Sequence, residues 1–391
     1  MGRASVLQEI RIMRFEEVYD RWSENRLTQQ EAADLLGVCE RQFRRQCRRY
    51  EDEGIDGLLD LRLGQVSTRR APVDEVLRLV AQYRGRYEGW TVKHFYSKYQ
   101  EQKGKRSYNF VRLALQREGL VAKAKRRGAH RRKRERKPLI GMMLHQDGSR
   151  YEWLLGQQHD LIVTLDDATG AIYSAFLVDE EDTMSSFVGV AEVITRHGLF
   201  NSLYTDRGSH YWHTAKAGHK VDRLNLTQFA RAMAQLGIEM IPAYSPQARG
   251  RSERVFGTLQ DRLPKELRDA RLTDVAQANR FLKRRFVPAY NREFALPATE
   301  TGSAFVPWVG HRLADILCLQ EEHIVRADNC VSYQNMLLQI PADRHRCHYV
   351  KAKVRVHEYP DHHLAIFHGP RCLAHYNANG KELKIKMPTA A

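Results

Sequence analysis

Long apolar runs, paired cysteines and negative charge are all scarce in this 391-residue chain. No apolar stretch reaches the roughly 18 residues that a bilayer-spanning helix needs, so a transmembrane helix is not expected. The opening MGRASVLQEIRIMRF lacks the apolar block of a secretory signal. The six cysteines, at 39, 47, 318, 330, 347 and 372, form no CxxC pair. Reduced thiols in a cytoplasmic setting follow as the expectation. No repeat of fixed period is present. Acidic residues number 47 against 63 Lys and Arg, leaving a formal net charge of +16. Such a balance calls for a polyanionic partner, most simply nucleic acid, with an anionic membrane surface as the rival.

Apolar residues make up 42% of the chain, enough for globular folding. The length suggests two to four domains. Residues 6 to 24 carry Val6, Ile10, Met13, Val18 and Trp22 at helical spacing. A second helix begins at Thr28, where TQQE fits a capping box, and Gly37 allows a sharp turn. The third helix, CERQFRRQCRRY, carries Arg41, Arg44, Arg45, Arg48 and Arg49. Helix, tight turn, basic helix is the helix-turn-helix pattern, suited to the major groove. A small bundle with a solvated basic face is the plainer alternative.

Residues 72 to 120 form a second helical stretch, in which Ser107 to Leu120 reads equally well as a second recognition helix or a packing helix. Residues 123 to 137, KAKRRGAHRRKRERK, hold ten Lys or Arg in fifteen positions. They cannot bury a core and read as a linker that tracks phosphates, with Arg126, Arg127, Arg131, Arg132 and Lys133 as candidate contacts. A solubilising tether or a nuclear-import signal would look alike. No apolar face adjoins the run, so a membrane-surface role fits worst. The boundaries that follow are 1–63 and 64–122 for two helical DNA-binding domains, 123–137 for the linker, 138–300 for an α/β core, and 301–391 for a C-terminal region with a small β-barrel.

In the α/β stretch, IGMMLHQDG and LIVTLDDATGAIYSAFLVD read as strands, followed by alternating helices and strands. Asp147 follows the first strand, Asp206 follows a later one, and Glu253 lies on a helix that starts soon after the last. Acids near strand ends can converge on one pocket, and carboxylates suit Mg²⁺ or Mn²⁺. Two such ions about 4 Å apart support in-line displacement at phosphorus. Layout alone leaves the triad open, since strand-end acids often cap loops. Asp166 and Asp167, at a hairpin, are the competing acids. His145 shares a strand face with Asp147 but reads as a packed histidine. Arg249, Glu253 and Gln260 share one helix face, so Arg249 could meet a phosphate; Arg251 and Arg254 are further candidates. Gly208 and Gly250 suit close backbone approach. The C-terminal cluster His345, Cys347, His348, His357, His362, His363, His368, Cys372 and His375 has no paired spacing, so zinc is not expected.

The segments HQDGSRYEWL, LDDATG, YTDRG, LGIEMIPAYSPQARGRSERVFGTLQDRL and ANRFLKRRFVPAYNREF resemble those of DDE transposases and retroviral-type integrases, which carry an RNase H-like domain. The match is most similar to the ISNCY family of bacterial insertion-sequence transposases. SPQARGRSER followed by TLQDRL is its most specific part. The resemblance implies that Asp147, Asp206 and Glu253 are the three catalytic acids and hold two Mg²⁺ ions, with Mn²⁺ as a substitute. It implies cleavage and transfer of double-stranded DNA at element ends and target, by a dimer or tetramer on DNA, in the bacterial cytoplasm with the nucleoid. The alternatives are a DNA-binding regulator that has lost chemistry and a sequence-independent nuclease. One departure is the gap of 47 positions between Asp206 and Glu253, with HYWHTAKAGHKVDR as an apparent insertion.

Overall fold

The computed structural model describes residues 3–60, 70–123, 135–214, 220–244, 250–310, 312–342 and 346–383. Arg126, Arg127, Arg131, Arg132, Lys133, Arg249 and His345 lie outside the described residues, as does the Ser245-Pro246-Gln247 stretch. Contacts divide the chain into two units, one of residues 1–88 and 106–121, the other of 89–105 and 122–391. Residues 64–122, expected as one segment, are thus shared between them.

The first unit opens with α1 (Arg3–Ser23), α2 (Gln29–Leu36) and α3 (Glu40–Glu53). Thr28 caps α2 through a complete capping box with Glu31, and Gly37 ends that helix at φ 66°, a left-handed turn that favours glycine. Phe15, Val18, Ala32, Ala33, Phe43 and Cys47 form the core of this trio. Phe43 and Cys47 are one helical turn apart, so α3 buries that face and leaves the other to solvent. α4 (Val73–Arg86) and α6 (Tyr108–Arg117) complete the unit, joined by an ion pair between Arg106 and Glu75.

In the second unit, α5 (Val92–Glu101) precedes a five-stranded mixed sheet. Its strands are β1 (Leu144–Leu154), β2 (Gln157–Asp166), β3 (Ile172–Val178), β4 (Ser202–Thr205) and β7 (Glu239–Pro242), in the order β3-β2-β1-β4-β7. β1, β2 and β3 pair antiparallel; β4 and β7 run parallel to β1. A two-stranded ribbon, β5 (His213–Thr214) with β6 (Val221–Asp222), stands between β4 and β7 in the chain.

Helices cover both faces of the sheet, as a mixed sheet with parallel strands requires. On one face α7 (Thr183–His197) and α8 (Gln228–Gln235) bury Phe187, Val190, Val193, Phe229 and Met233 against Leu144 and Leu203. On the other, α9 (Ser252–Asp269), α10 (Val275–Phe281), the π-helical turn Leu282–Phe286 and α11 (Val287–Phe294) bury Phe256, Leu259, Leu263, Leu282 and Phe286 against Trp153, Leu161, Val163 and Leu165. Because β2 is covered on both faces, its last eight residues are all buried, not alternating. β3 is an edge strand. Asn291 spans Ile172, accepting from its N–H and donating to its carbonyl, both at 2.8 Å. Asn279 does the same at Leu177, at 2.7 and 3.0 Å. Two helix asparagines thus occupy edge groups that would otherwise invite another strand.

The C-terminal region is not a closed barrel. β8 (Leu319–Ile324), β11 (Lys353–Glu358), β12 (Leu364–His368), β13 (Arg371–Tyr376) and β14 (Glu382–Leu383) form an open antiparallel sheet with β8 and β14 at its edges. A separate hairpin, β9 (Cys330–Tyr333) with β10 (Met336–Gln339), folds over a shared core that includes Val331, Leu338, Val356, Ile366 and Tyr376. The alternating pattern does form short strands, but closure needs a β8–β14 ladder, and β14 is two residues long. Among the described residues no helix is long and apolar enough to cross a membrane.

Candidate active site

β1 and β4 run side by side, with His145 opposite Tyr204. Two residues further along each strand come Asp147 and Asp206, so the two carboxylates leave neighbouring parallel strands at the same level and on the same face. Both are partly exposed. Asp206 Oδ1 accepts from the Gly208 N–H at 2.9 Å, and a Cβ on Gly208 would lie 3.0 Å from that same oxygen. Glycine there keeps the backbone against the carboxylate, as expected of it.

α9 lies along β1 and is pinned at two points. At its start, Arg251 pairs with Asp167, whose Oδ1 also lies 2.7 Å from His145 Nε2. Two turns on, Gln260 Nε2 donates to Ser149 Oγ at 3.0 Å. From Arg251 to Gln260 the helix advances about 13.5 Å. From His145 to Ser149 the strand advances about 13 Å. The two elements therefore run in step, and the backbone of Glu253, two residues into this span, lies level with the part of β1 between His145 and Asp147. Glu253 is exposed in the first turn of α9. Among the described residues no three His, Cys, Asp or Glu side chains stand close enough to hold a metal ion. The two aspartates are brought together; the glutamate is on the adjoining helix but not drawn in against them.

The rival acids have other work. Asp166 accepts from Gly141 N at 3.0 Å, and from the Thr169 N–H and hydroxyl at 2.9 and 2.8 Å, which ties off the hairpin turn. Asp167 is fully buried. Burial would raise its pKa, but hydrogen bonds from His145, Arg251 and the Lys137 N–H outweigh it and hold the carboxyl well below its usual range. Arg251 also donates to Glu135 O at 2.8 Å, so the guanidinium expected on DNA clamps α9 to the sheet instead. His145 is packed, as expected, but as a link in this clamp. Arg254 is exposed on α9.

A carboxylate missed in the sequence also stands here. Glu181 comes from the acidic turn before α7 and lies over Gly148, where a Cβ would sit 2.1 Å from its Oε2. Its Oε1 is 3.4 Å from His210 Nε2 and accepts from the Tyr211 hydroxyl at 3.5 Å. The Tyr211 phenol is pushed well above its ordinary pKa, first by complete burial and then by Glu181, with Asp206 and Asp147 adding to the same field. Only the run of acids 179 to 182 hinted at Glu181, and an acidic turn before a helix is common.

In the first unit, Arg41, Arg44, Arg45, Arg48 and Arg49 are all exposed on α3, opposite buried Phe43 and Cys47. None makes an ion pair with another described residue.

A family model described as winged helix-turn helix matches residues 18–70. The chain is similar to "Putative transposase y4bF" of Sinorhizobium fredii (strain NBRC 101917 / NGR234), with 30% identity over 355 residues, 90% of this chain and 77% of that protein. It is also 30% identical over 203 residues to the transposase for insertion sequence IS1202 of Streptococcus pneumoniae, covering 52% of this chain and 43% of that one. Among solved structures, the HTLV-2 integrase catalytic core domain in complex with magnesium (dimeric form) aligns at 18% identity with a TM-score of 0.31, over 42% of this chain and 94% of that one. The simian T-cell lymphotropic virus intasome in complex with PP2A regulatory subunit B56 gamma aligns at 14% identity with a TM-score of 0.34, over 65% and 83%. The assignment rests on the Sinorhizobium relative, whose match runs through nearly the whole chain: the protein belongs to the transposase family.

Proposed function

We propose that the chain cuts DNA at the ends of its element and joins them to target DNA, with Asp147, Asp206 and Glu253 as metal-holding catalytic residues. The observation that carries this is the placement of Asp147 and Asp206 at one level on adjacent parallel strands, with α9 in step beside them. The donor set is all carboxylate, the hard-oxygen chemistry that Mg²⁺ and Mn²⁺ prefer. Two aspartates are already together, and exposed Glu253 is the ligand that would have to swing in. A divalent pair bound there would activate the attacking oxygen and stabilise the leaving one.

The rest is done by the chain. With divalent cations held by Asp147 and Asp206, the scissile phosphate would come to lie over the half-open carboxylate pair, which without them would repel it. The Asp167–Arg251–His145 clamp fixes the start of α9, and with it the side of the site from which Glu253 approaches. In the first step water attacks the phosphodiester, giving a 3′-hydroxyl on one fragment and a 5′-phosphate on the other. In the second, that 3′-hydroxyl attacks a target phosphodiester, so one P–O bond forms as another breaks and the proton passes to the departing oxygen. The exposed arginine face of α3 is the natural reader of element ends, in a dimer or tetramer, and the basic residues 123 to 137 follow the backbone. The reading places the protein in the bacterial cytoplasm with the nucleoid.

The test is strand transfer by purified protein on labelled element ends with a plasmid target and Mg²⁺ or Mn²⁺, against Asp147→Asn and Glu253→Gln. Metal-dependent joined product that both substitutions abolish supports the reading. Binding without cleavage in either metal returns the regulator alternative. Cleavage surviving in Glu253→Gln means that the third acid is another residue, with Glu181 first in line.

A further inference from the structure

The segment between β6 and α8, Arg223-Leu224-Asn225-Leu226, runs directly on from the end of the apparent insertion after Asp206 and faces solvent throughout. Leu224 is 92% exposed and Leu226 49%. An exposed leucine by itself means little. Here the backbone is built to hold it out. The Asp222 carboxylate accepts from Leu224 N at 2.8 Å, from Asn225 N at 3.2 Å and from Asn225 Nδ2 at 2.7 Å. This Asx turn fixes the loop and occupies its only acid.

The base of the segment is anchored to the end of β4. Trp212 Nε1 donates to Thr205 Oγ1 at 3.0 Å, and Thr227, which caps α8, donates to Tyr211 O at 3.0 Å. The Val221 N–H reaches the Tyr244 hydroxyl at 3.4 Å. Tyr244 is half exposed, with the Arg207 guanidinium 5.5 Å above its ring. Arg207 follows Asp206 directly. A short path of contacts, Asp206 to Arg207 to Tyr244 to β6, thus leads from the second carboxylate to the leucine tip. Lys220 and Arg223 flank that tip and are exposed. A partner that suits an apolar tip and an open aromatic ring set among cations must offer both apolar faces and negative charge. A nucleic-acid strand with unstacked bases does so: phosphates for Lys220 and Arg223, base faces for Leu224 and Tyr244.

We infer that Leu224 is a wedge that enters the duplex beside the phosphate held at Asp147 and Asp206, and that Tyr244 receives a base freed by it. Apolar side chains inserted between base steps unstack them in this way. The inference rests on the reading of that site as DNA-processing, and its test is separable from it.

The probe is a fluorescein-labelled duplex of about 30 base pairs, long enough for the phosphate contacts, compared with the same duplex frayed over a few nucleotides at one end. Binding of the full chain is read by anisotropy without metal at fixed salt. The wild type is expected to prefer the frayed duplex roughly tenfold, the scale of one unstacked step spared. Leu224→Ser should bring the two to parity while leaving affinity for the paired duplex unchanged, and Leu224→Met should keep the preference. A thermal melt of Leu224→Ser matching the wild type excludes misfolding, as the side chain is almost wholly exposed. No preference in the wild type, or an undiminished one in Leu224→Ser, overturns the inference. Nicking of a plasmid carrying the element ends in Mg²⁺, compared with Asp147→Asn, reads the carboxylate site separately. Nicking without frayed-end preference sinks the wedge alone; preference without nicking supports the wedge and sinks the catalytic reading.

Discussion

Asp167 shows how one buried charge can decide local architecture. It is enclosed by His145, Arg251 and the Lys137 N–H, and each of these belongs to a different part of the chain. Removing one member of such a set leaves the others buried without a partner, at a cost of about 3–5 kcal/mol. Asp167→Asn should therefore lower the unfolding free energy of the α/β unit by that amount, seen as a lower urea midpoint, and loosen the start of α9. An unchanged midpoint would show that the clamp is incidental. His357 is a second residue whose burial has a measurable consequence. Neither ring nitrogen has a hydrogen-bond partner among the described residues, and the ring stacks on Phe367 with centroids 4.2 Å apart. Burial, with Arg355 and Arg231 adding, pushes its pKa down to about 4 from the ordinary 6.5. The folded value lies below the unfolded one, so the unfolded chain takes up this proton first as pH falls. Stability is full above pH 6.5 and is lost between there and about 4. His357→Leu should flatten that part of the stability–pH curve, and a curve with the same slope in the variant would refute the assignment.

At the scale of elements, the edge strand β3 depends on helices for its backbone partners. Asn279 and Asn291 each serve an N–H and a carbonyl that no neighbouring strand reaches. Asn291→Ala leaves Ile172 groups unsatisfied and should cost about 1–3 kcal/mol. Amide exchange in β3 should speed up while β1 and β2 stay protected; uniform protection would mean that water replaces the asparagine at no cost. α2 is held from its first turn by the Thr28–Glu31 box. Thr28→Ala should destabilise the helix-turn-helix unit by about 1 kcal/mol, checked by its own thermal transition. α5 is a different case. His94 Nε2 and Lys98 Nζ both meet Glu266 of α9, at 2.8 and 2.7 Å, so an N-terminal helix is bound into the α/β unit through one carboxylate.

For the whole molecule, charge sets the terms of DNA binding. With a net charge of +16 and five exposed arginines on α3, affinity should fall steeply as salt rises. Arg44→Ala with Arg45→Ala should reduce the slope of log affinity against log salt by about 0.9 for each phosphate contact removed. If affinity for element ends falls but the slope holds, those arginines read bases and not backbone.

What could be read from the sequence was local or patterned. The capping box at Thr28, the turn at Gly37 and the arginine face of α3 depend on residues within a few positions of each other. The alternation of the central segment announced a mixed sheet, because burial on one or both faces writes itself into hydrophobic period. Asp206 was visible as a strand-end acid and the turn-capping role of Asp166 was foreseeable from its hairpin, but Asp147, expected to follow the first strand, lies within β1, which runs on to Leu154. Other features needed the chain folded. Whether the last five strands closed into a barrel depended on a β8–β14 pairing that no single strand's pattern specifies, and the sheet is open. Arg251 faced inward because Asp167, 84 positions earlier, needed a buried counter-charge. Glu181 came to lie over Gly148 because a loop returned across the sheet. Leu224 was an ordinary leucine just past an apparent insertion until an Asx turn held it in water. Secondary structure and charge follow from neighbours in sequence, whereas partners for buried charges and the position of loops are set by which distant segments pack together.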